Sequence, residues 1–170
     1  MRYALRLPLA AAVLVVVASA VALGAAAGPE NHANRFEATF NETNASVTNR
    51  IADLGIFQLV NTGTGTVEGF GPATLTLSVT QDRTVQPCGP GSWTNAGIRR
   101  IVLAQGVLVT RGLAYVCQTE GGPRVFGTWT VDGASSTGIF AGARGEGEES
   151  VNIPAQVATL TGRLKLTSDD

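Results

Sequence analysis

From Phe36 onward, apolar residues alternate with polar or small ones in short runs, and Gly, Pro, Asn and Asp repeatedly interrupt them. A period of two puts successive side chains on opposite faces of an extended backbone, so each run predicts a strand with one face on a core. Strands are predicted over residues 36–42, 55–60, 66–70, 74–81, 99–104, 107–118, 125–131, 137–145 and 158–166. No part of this region sustains the 3.6-residue apolar period of an amphipathic helix. Gln105-Gly106 and Glu120-Gly121-Gly122-Pro123 join neighbouring runs with the glycines that tight turns need, which predicts hairpins and mostly antiparallel neighbours. An all-β chain with this many short strands fits a small closed barrel or a sandwich.

The N-terminal segment follows a different pattern. Arg2 and Arg6 precede an uncharged, mostly apolar run over residues 7–23, and Ala25, Ala26 and Ala27 follow it. That is the layout of a secretory signal. The run is shorter than the ~20 residues a membrane span needs, so the expectation is cleavage after Ala27, with an uncleaved anchor as the alternative. The predicted organisation is a signal peptide at 1–27, a flexible tail at 28–35 and one barrel domain at 36–170. The mature protein would be secreted, extracellular and without a stable membrane anchor.

Removing the leader takes 2 of the 12 basic residues and none of the 13 acidic ones, leaving 10 − 13 = −3. That balance argues against a nucleic-acid partner or an anionic membrane surface, both of which favour a basic face.

Export places Cys88 and Cys117 where disulfides persist. A bridge between them is the first expectation and two separate buried thiols the alternative. The link would fasten the irregular stretch at 85–97, which carries two prolines, three glycines and Cys88. Closing a loop of this size stabilises a fold by about 3–4 kcal/mol on the chain-entropy account. Two cysteines and the single His32 do not make a four-ligand zinc site, so no metal and no cofactor is expected. The same lone His argues against a Ser/His/Asp or Cys/His catalytic set.

Gly-x-Gly spacing occurs at Gly63 and Gly65, Gly69 and Gly71, and Gly145 and Gly147, yet none opens an amphipathic helix, which a phosphate-binding loop requires. Within strands, glycine marks a bulge, a sharp corner or close backbone approach.

The series Thr137-Gly138-Ile139-Phe140-Ala141-Gly142-Ala143-Arg144-Gly145, preceded by Gly133, resembles the glycine-rich signature of the allene oxide cyclase and dirigent group of small β-barrels. Bacterial secreted proteins with an allene-oxide-cyclase-like barrel are the nearest in pattern. The stretches 65–71 and 127–131 support the resemblance more loosely. It implies a calycin-like antiparallel barrel of about eight strands, self-association as a homotrimer, and a pocket that holds a small apolar molecule. Ser135-Ser136 stand where that group has a glycine pair, and its catalytic carboxylates have no assignable counterparts here. The expected function is therefore binding of a small apolar molecule or a structural extracellular role. A cyclase, isomerase or dirigent-type enzyme steering a reactive lipid or phenolic substrate is the alternative, with catalytic residues unknown.

Three side chains are the candidate ligand contacts. Arg111 and Tyr115 share one face of the 107–118 run with Val107, Val109, Leu113 and Cys117, so Arg111 is a charge on a largely apolar face. An inward Arg111 needs a partner or a ligand, whereas an outward one decorates a protomer interface or the surface, and for Tyr115 core packing with a satisfied hydroxyl is the alternative. Arg144 lies in the signature and by resemblance faces the barrel mouth, where a guanidinium would hold a carboxylate; a solvent-facing Arg beside Glu146, Glu148 and Glu149 is the alternative. Trp129 and Phe140 read as core aromatics, Glu68 as a surface or a buried carboxylate, and Glu146, Glu148 and Glu149 as an acidic turn.

Overall fold

A computed structural model describes residues 35–167, apart from the side chains of Asn44 and Ala45. The described residues form β1 (Phe36–Ile51), β2 (Ile56–Val67), β3 (Gly71–Asp82), β4 (Trp93–Leu103), β5 (Gly106–Thr119), β6 (Gly122–Val131), β7 (Arg144–Asn152) and β8 (Val157–Lys165). Each strand pairs antiparallel with the next, and β8 returns to β1 from Phe36↔Gly162 to Asn41↔Val157. The sheet is a closed up-and-down barrel, and closure leaves no edge strand exposed along this seam. Of the two architectures the alternation allows, the all-β antiparallel barrel is present and the sandwich is not; it has eight strands, where the alternation predicts nine runs. The predicted signal peptide at 1–27, His32 and residues 168–170 lie outside the described residues, as does all of the predicted tail but Arg35.

Several predicted elements move. Residues 66–70 are the end of β2 and its turn, because Gly69 and Gly71 take φ of +77° and +94°. The strand predicted at 99–104 starts at Trp93, and the one predicted at 36–42 runs on to Ile51 through two register shifts. The strand predicted at 137–145 is instead a connection containing a 3-10 turn, Gly138–Phe140, with Gly138 at φ +63° and Gly142 at φ +72°. The acidic run assigned to a turn is in β7, where alternation turns Glu146 and Glu148 outward and Glu149 inward.

One half of the interior is filled. Phe36, Phe40, Leu75, Ile101, Leu108 and Trp129 are buried there with their neighbours. Trp129 meets Phe36 edge-on at 5.1 Å between ring centroids, and its Nε1 donates to the carbonyl of Glu148 at 3.0 Å. A Cβ on Gly147 or Gly162 would lie 2.7 or 2.8 Å from Cζ2 of this indole. Those two strand positions are glycine because the carbonyls of Thr161 and Glu146 on the facing strand and the indole already occupy the space a Cβ would need. The Gly145-x-Gly147 spacing therefore serves barrel packing.

Candidate functional site at the barrel mouth

The connections alternate between the two ends of an up-and-down barrel. At one end the β6–β7 connection folds over the opening. Phe140 is fully buried beneath it, 5.2 Å from the Phe70 ring, and the backbone of Thr137 and Ile139 donates to Val107 and Gln105 carbonyls. The segment that carries the family resemblance is thus the plug of the closed end. Its fastening includes Arg111: Nε and Nη2 donate to Oδ2 of Asp132, which also accepts from the Ser135 hydroxyl. The guanidinium and the Ser135 hydrogen bonds hold the Asp132 carboxyl below its usual range.

At the other end the same inward alternation continues with different chemistry. The β1 series Phe36, Ala38, Phe40 ends on Glu42, and β4 presents Asn95 and Arg99 on the face that carries Ile101. Together with Asn61 of β2 and Glu149 of β7 they line a cavity of about 280 Å³. Leu59, Leu77, Val79, Val116 and Val125 form apolar walls. The 83–92 connection borders this end and is tied to β5 by the Cys88–Cys117 disulfide, with Cα atoms 5.6 Å apart. The expected bridge is present, and no cysteine among the described residues is free. At the rim the Arg83 guanidinium lies 4.4 Å from the Phe57 ring centroid and 5.0 Å from that of Trp93.

Arg99 is 4% exposed and Glu149 5%, and the two form an ion pair inside the barrel. The guanidinium lies over Gly112, where a Cβ would come within 2.8 Å of Nη1. Burial lowers Arg99 to about 10, with the negative charge of Glu42 acting in the opposite direction. Desolvation raises the Glu42 carboxyl, opposed by the Asn61 amide, which donates to Oε2 at 3.2 Å, and by Arg99. Arg99 Nη1, Glu42 Oε1, Asn61 Oδ1, Asn95 Oδ1 and Trp93 Nε1 are buried without protein partners. Unsatisfied groups of this kind each cost about 1–3 kcal/mol unless water or a ligand completes them.

The three predicted ligand residues lie elsewhere. Arg111 and Tyr115 are exposed on the outer face of β5, and Arg144 is exposed at the start of β7. None lines the interior cavity, and no single recess among those found holds all three. The inward face of β5 is Leu108, Thr110, Gly112, Ala114 and Val116. Arg111 is outward because Leu113, on its own face, is 69% exposed, while Val109 is covered by the plug connection. Glu68 is exposed in a turn, and Trp129 and Phe140 are core aromatics. A larger recess of about 730 Å³ opens beside the exposed Ile98, Arg111 and Leu113; its single charged side chain, Arg111, is already paired with Asp132.

Arg99, Glu42 and Glu149 were missed from sequence, though a signal exists. Each continues an alternating series of buried positions, so a charge falls where the period calls for an apolar residue. Among the described residues no group of three or more His, Cys, Asp or Glu is placed to hold a metal, and no helix is long and apolar enough to cross a membrane. No protein-family model, curated protein or solved structure matches the chain.

Proposed function

We propose that this protein is an exported small-molecule-binding barrel whose ligand enters at the mouth and sets a polar group on the floor formed by Arg99, Glu42, Asn61 and Asn95. One observation carries this reading. Buried polar atoms without partners, the Arg99 Nη1 donor and the Glu42, Asn61 and Asn95 oxygens, face a cavity with apolar walls, and such groups are costly to leave unmet. A purely structural barrel would fill this space with side chains, as the plugged end does. The disulfide is in keeping with an oxidising compartment, and the segment at 1–27 supplies the export signal.

The resemblance to the allene oxide cyclase and dirigent group belongs to the same proposal, with a homotrimer as its expected assembly. A cyclase- or isomerase-type activity is the second reading. It is favoured by Glu42, whose raised carboxyl lies beside an amide and within the field of a guanidinium, an arrangement suited to proton transfer. The binding reading is tested by native mass spectrometry of exported protein for a co-purifying small molecule. Ala114→Phe, which projects a ring into the cavity, is expected to abolish that adduct while leaving the β-sheet spectrum intact. Retention of the adduct by the Phe variant, or its absence from wild-type protein isolated from the producing cells, overturns the reading.

A further inference from the structure

The floor of the mouth carries an unequal set of charges and hydrogen-bonding groups. Two carboxylates, Glu42 and Glu149, and one guanidinium, Arg99, face the cavity. Arg99 and Glu149 neutralise one another through their ion pair. Glu42 is left with one hydrogen bond, from the Asn61 amide to Oε2, and no partner on Oε1. Among the cavity-lining groups outside the ion pair, three acceptor oxygens lack donors, Glu42 Oε1, Asn61 Oδ1 and Asn95 Oδ1, and they outnumber the two donors without acceptors, Arg99 Nη1 and Trp93 Nε1. A primary ammonium carries three N–H donors and one positive charge. It matches both the unmet acceptors and the unbalanced carboxylate. An anionic head would add a third negative charge to a desolvated floor that holds one cation.

Size sets the rest of the ligand. At about 30 Å³ for each water's share of liquid volume, a 280 Å³ cavity takes some nine water-sized groups. We infer that the mouth binds a small primary amine with an apolar body of about this size, its ammonium held by Glu42, Asn61 and Asn95 and its hydrocarbon against Leu77, Val79 and Val116. This rests on the proposed ligand-binding function and adds the class of ligand.

The experiment compares three probes of nearly equal shape, 2-phenylethylamine, 2-phenylethanol and 3-phenylpropionate, by isothermal titration at pH 7 on the disulfide-intact protein. The amine is expected to bind about tenfold or more tighter than the alcohol, the scale of a charge-assisted hydrogen bond, and the carboxylate weakest. Glu42→Gln keeps the shape and removes the charge, and it should bring the amine down to the alcohol. Circular dichroism confirms that this variant is folded; if it is not, Asn95→Ala supplies the same comparison with one acceptor removed. Tighter binding of the carboxylate, or an amine preference that survives a folded Glu42→Gln, overturns the inference and leaves the binding reading standing. Failure of all three probes to bind overturns both.

Discussion

The two ends of the barrel use one backbone pattern for opposite purposes. At the plugged end the inward positions are Phe36, Phe40, Ile101, Leu108 and Trp129, closed over by Phe140. At the mouth the same strands continue with Glu42, Asn61, Asn95 and Arg99. Burial of large apolar side chains stabilises a fold by about 1.5–3 kcal/mol each, whereas buried charges recover their desolvation only through partners. The plugged end therefore holds the barrel closed, and the mouth is a polar floor whose fold alone does not require it. Strand geometry is shared by both ends, so the difference lies in which residue falls at each inward position.

The sharpest way to break this contrast is to empty the plugged end. Trp129→Ala leaves a cavity between Phe36 and the glycines at 147 and 162, and should cost about 3–5 kcal/mol in urea unfolding; a loss below about 1 kcal/mol would mean that the end is not the stabilising half. Glu149→Ala tests the mouth by removing the carboxylate paired with buried Arg99 and leaving only the charge of Glu42 in its field, at an expected cost of about 3 kcal/mol. The double replacement Arg99→Met with Glu149→Met should recover most of that loss and, with Glu42, Asn61 and Asn95 in place, still bind the amine probe. If the double variant is as unstable as the single one, the ion pair is a structural requirement and the contrast between the ends fails.

A smaller effect is expected from acid. The folded-state pKa of Glu42 is raised above the unfolded value of 4.5 by desolvation. Its contribution to stability is thus fully present below 4.5 and is lost as pH rises through the raised value. Glu42→Gln should flatten that part of the stability–pH curve, read as melting temperature at half-unit steps upward from pH 4. Asp132, at the plugged end, is held below its ordinary value by Arg111 and the Ser135 contacts. It has the opposite sign: its contribution is present above the unfolded pKa and disappears as pH falls through the folded one. The smallest change is expected from Arg111→Met, because this pair is partly exposed and solvent screens it. Thermal melts should detect little change at neutral pH, and amine binding at the mouth should be unaltered. Altered binding would place Arg111 back among the ligand residues.

The sequence by itself determined the strand alternation and the hairpin turns at Gln105-Gly106 and Glu120–Pro123, and it made a Cys88–Cys117 bridge the first expectation, because these depend on period, turn chemistry and an even cysteine count. It also marked Trp129 and Phe140 as core. Three matters were decided only by the tertiary structure. The run at 107–118 is apolar on both faces, and a period of two identifies two faces without saying which is inside; the curvature of the closed barrel turned Arg111 and Tyr115 outward. The segment 137–145 has the residue types of a strand, yet left-handed backbone at Gly138 and Gly142 folds it into a plug that closes over Phe140. Arg99, Glu42 and Glu149 come from β4, β1 and β7, far apart along the chain. Each read singly is a surface charge, and only closure of the sheet brings them to one cavity, where burial gives them partners and unmet hydrogen bonds.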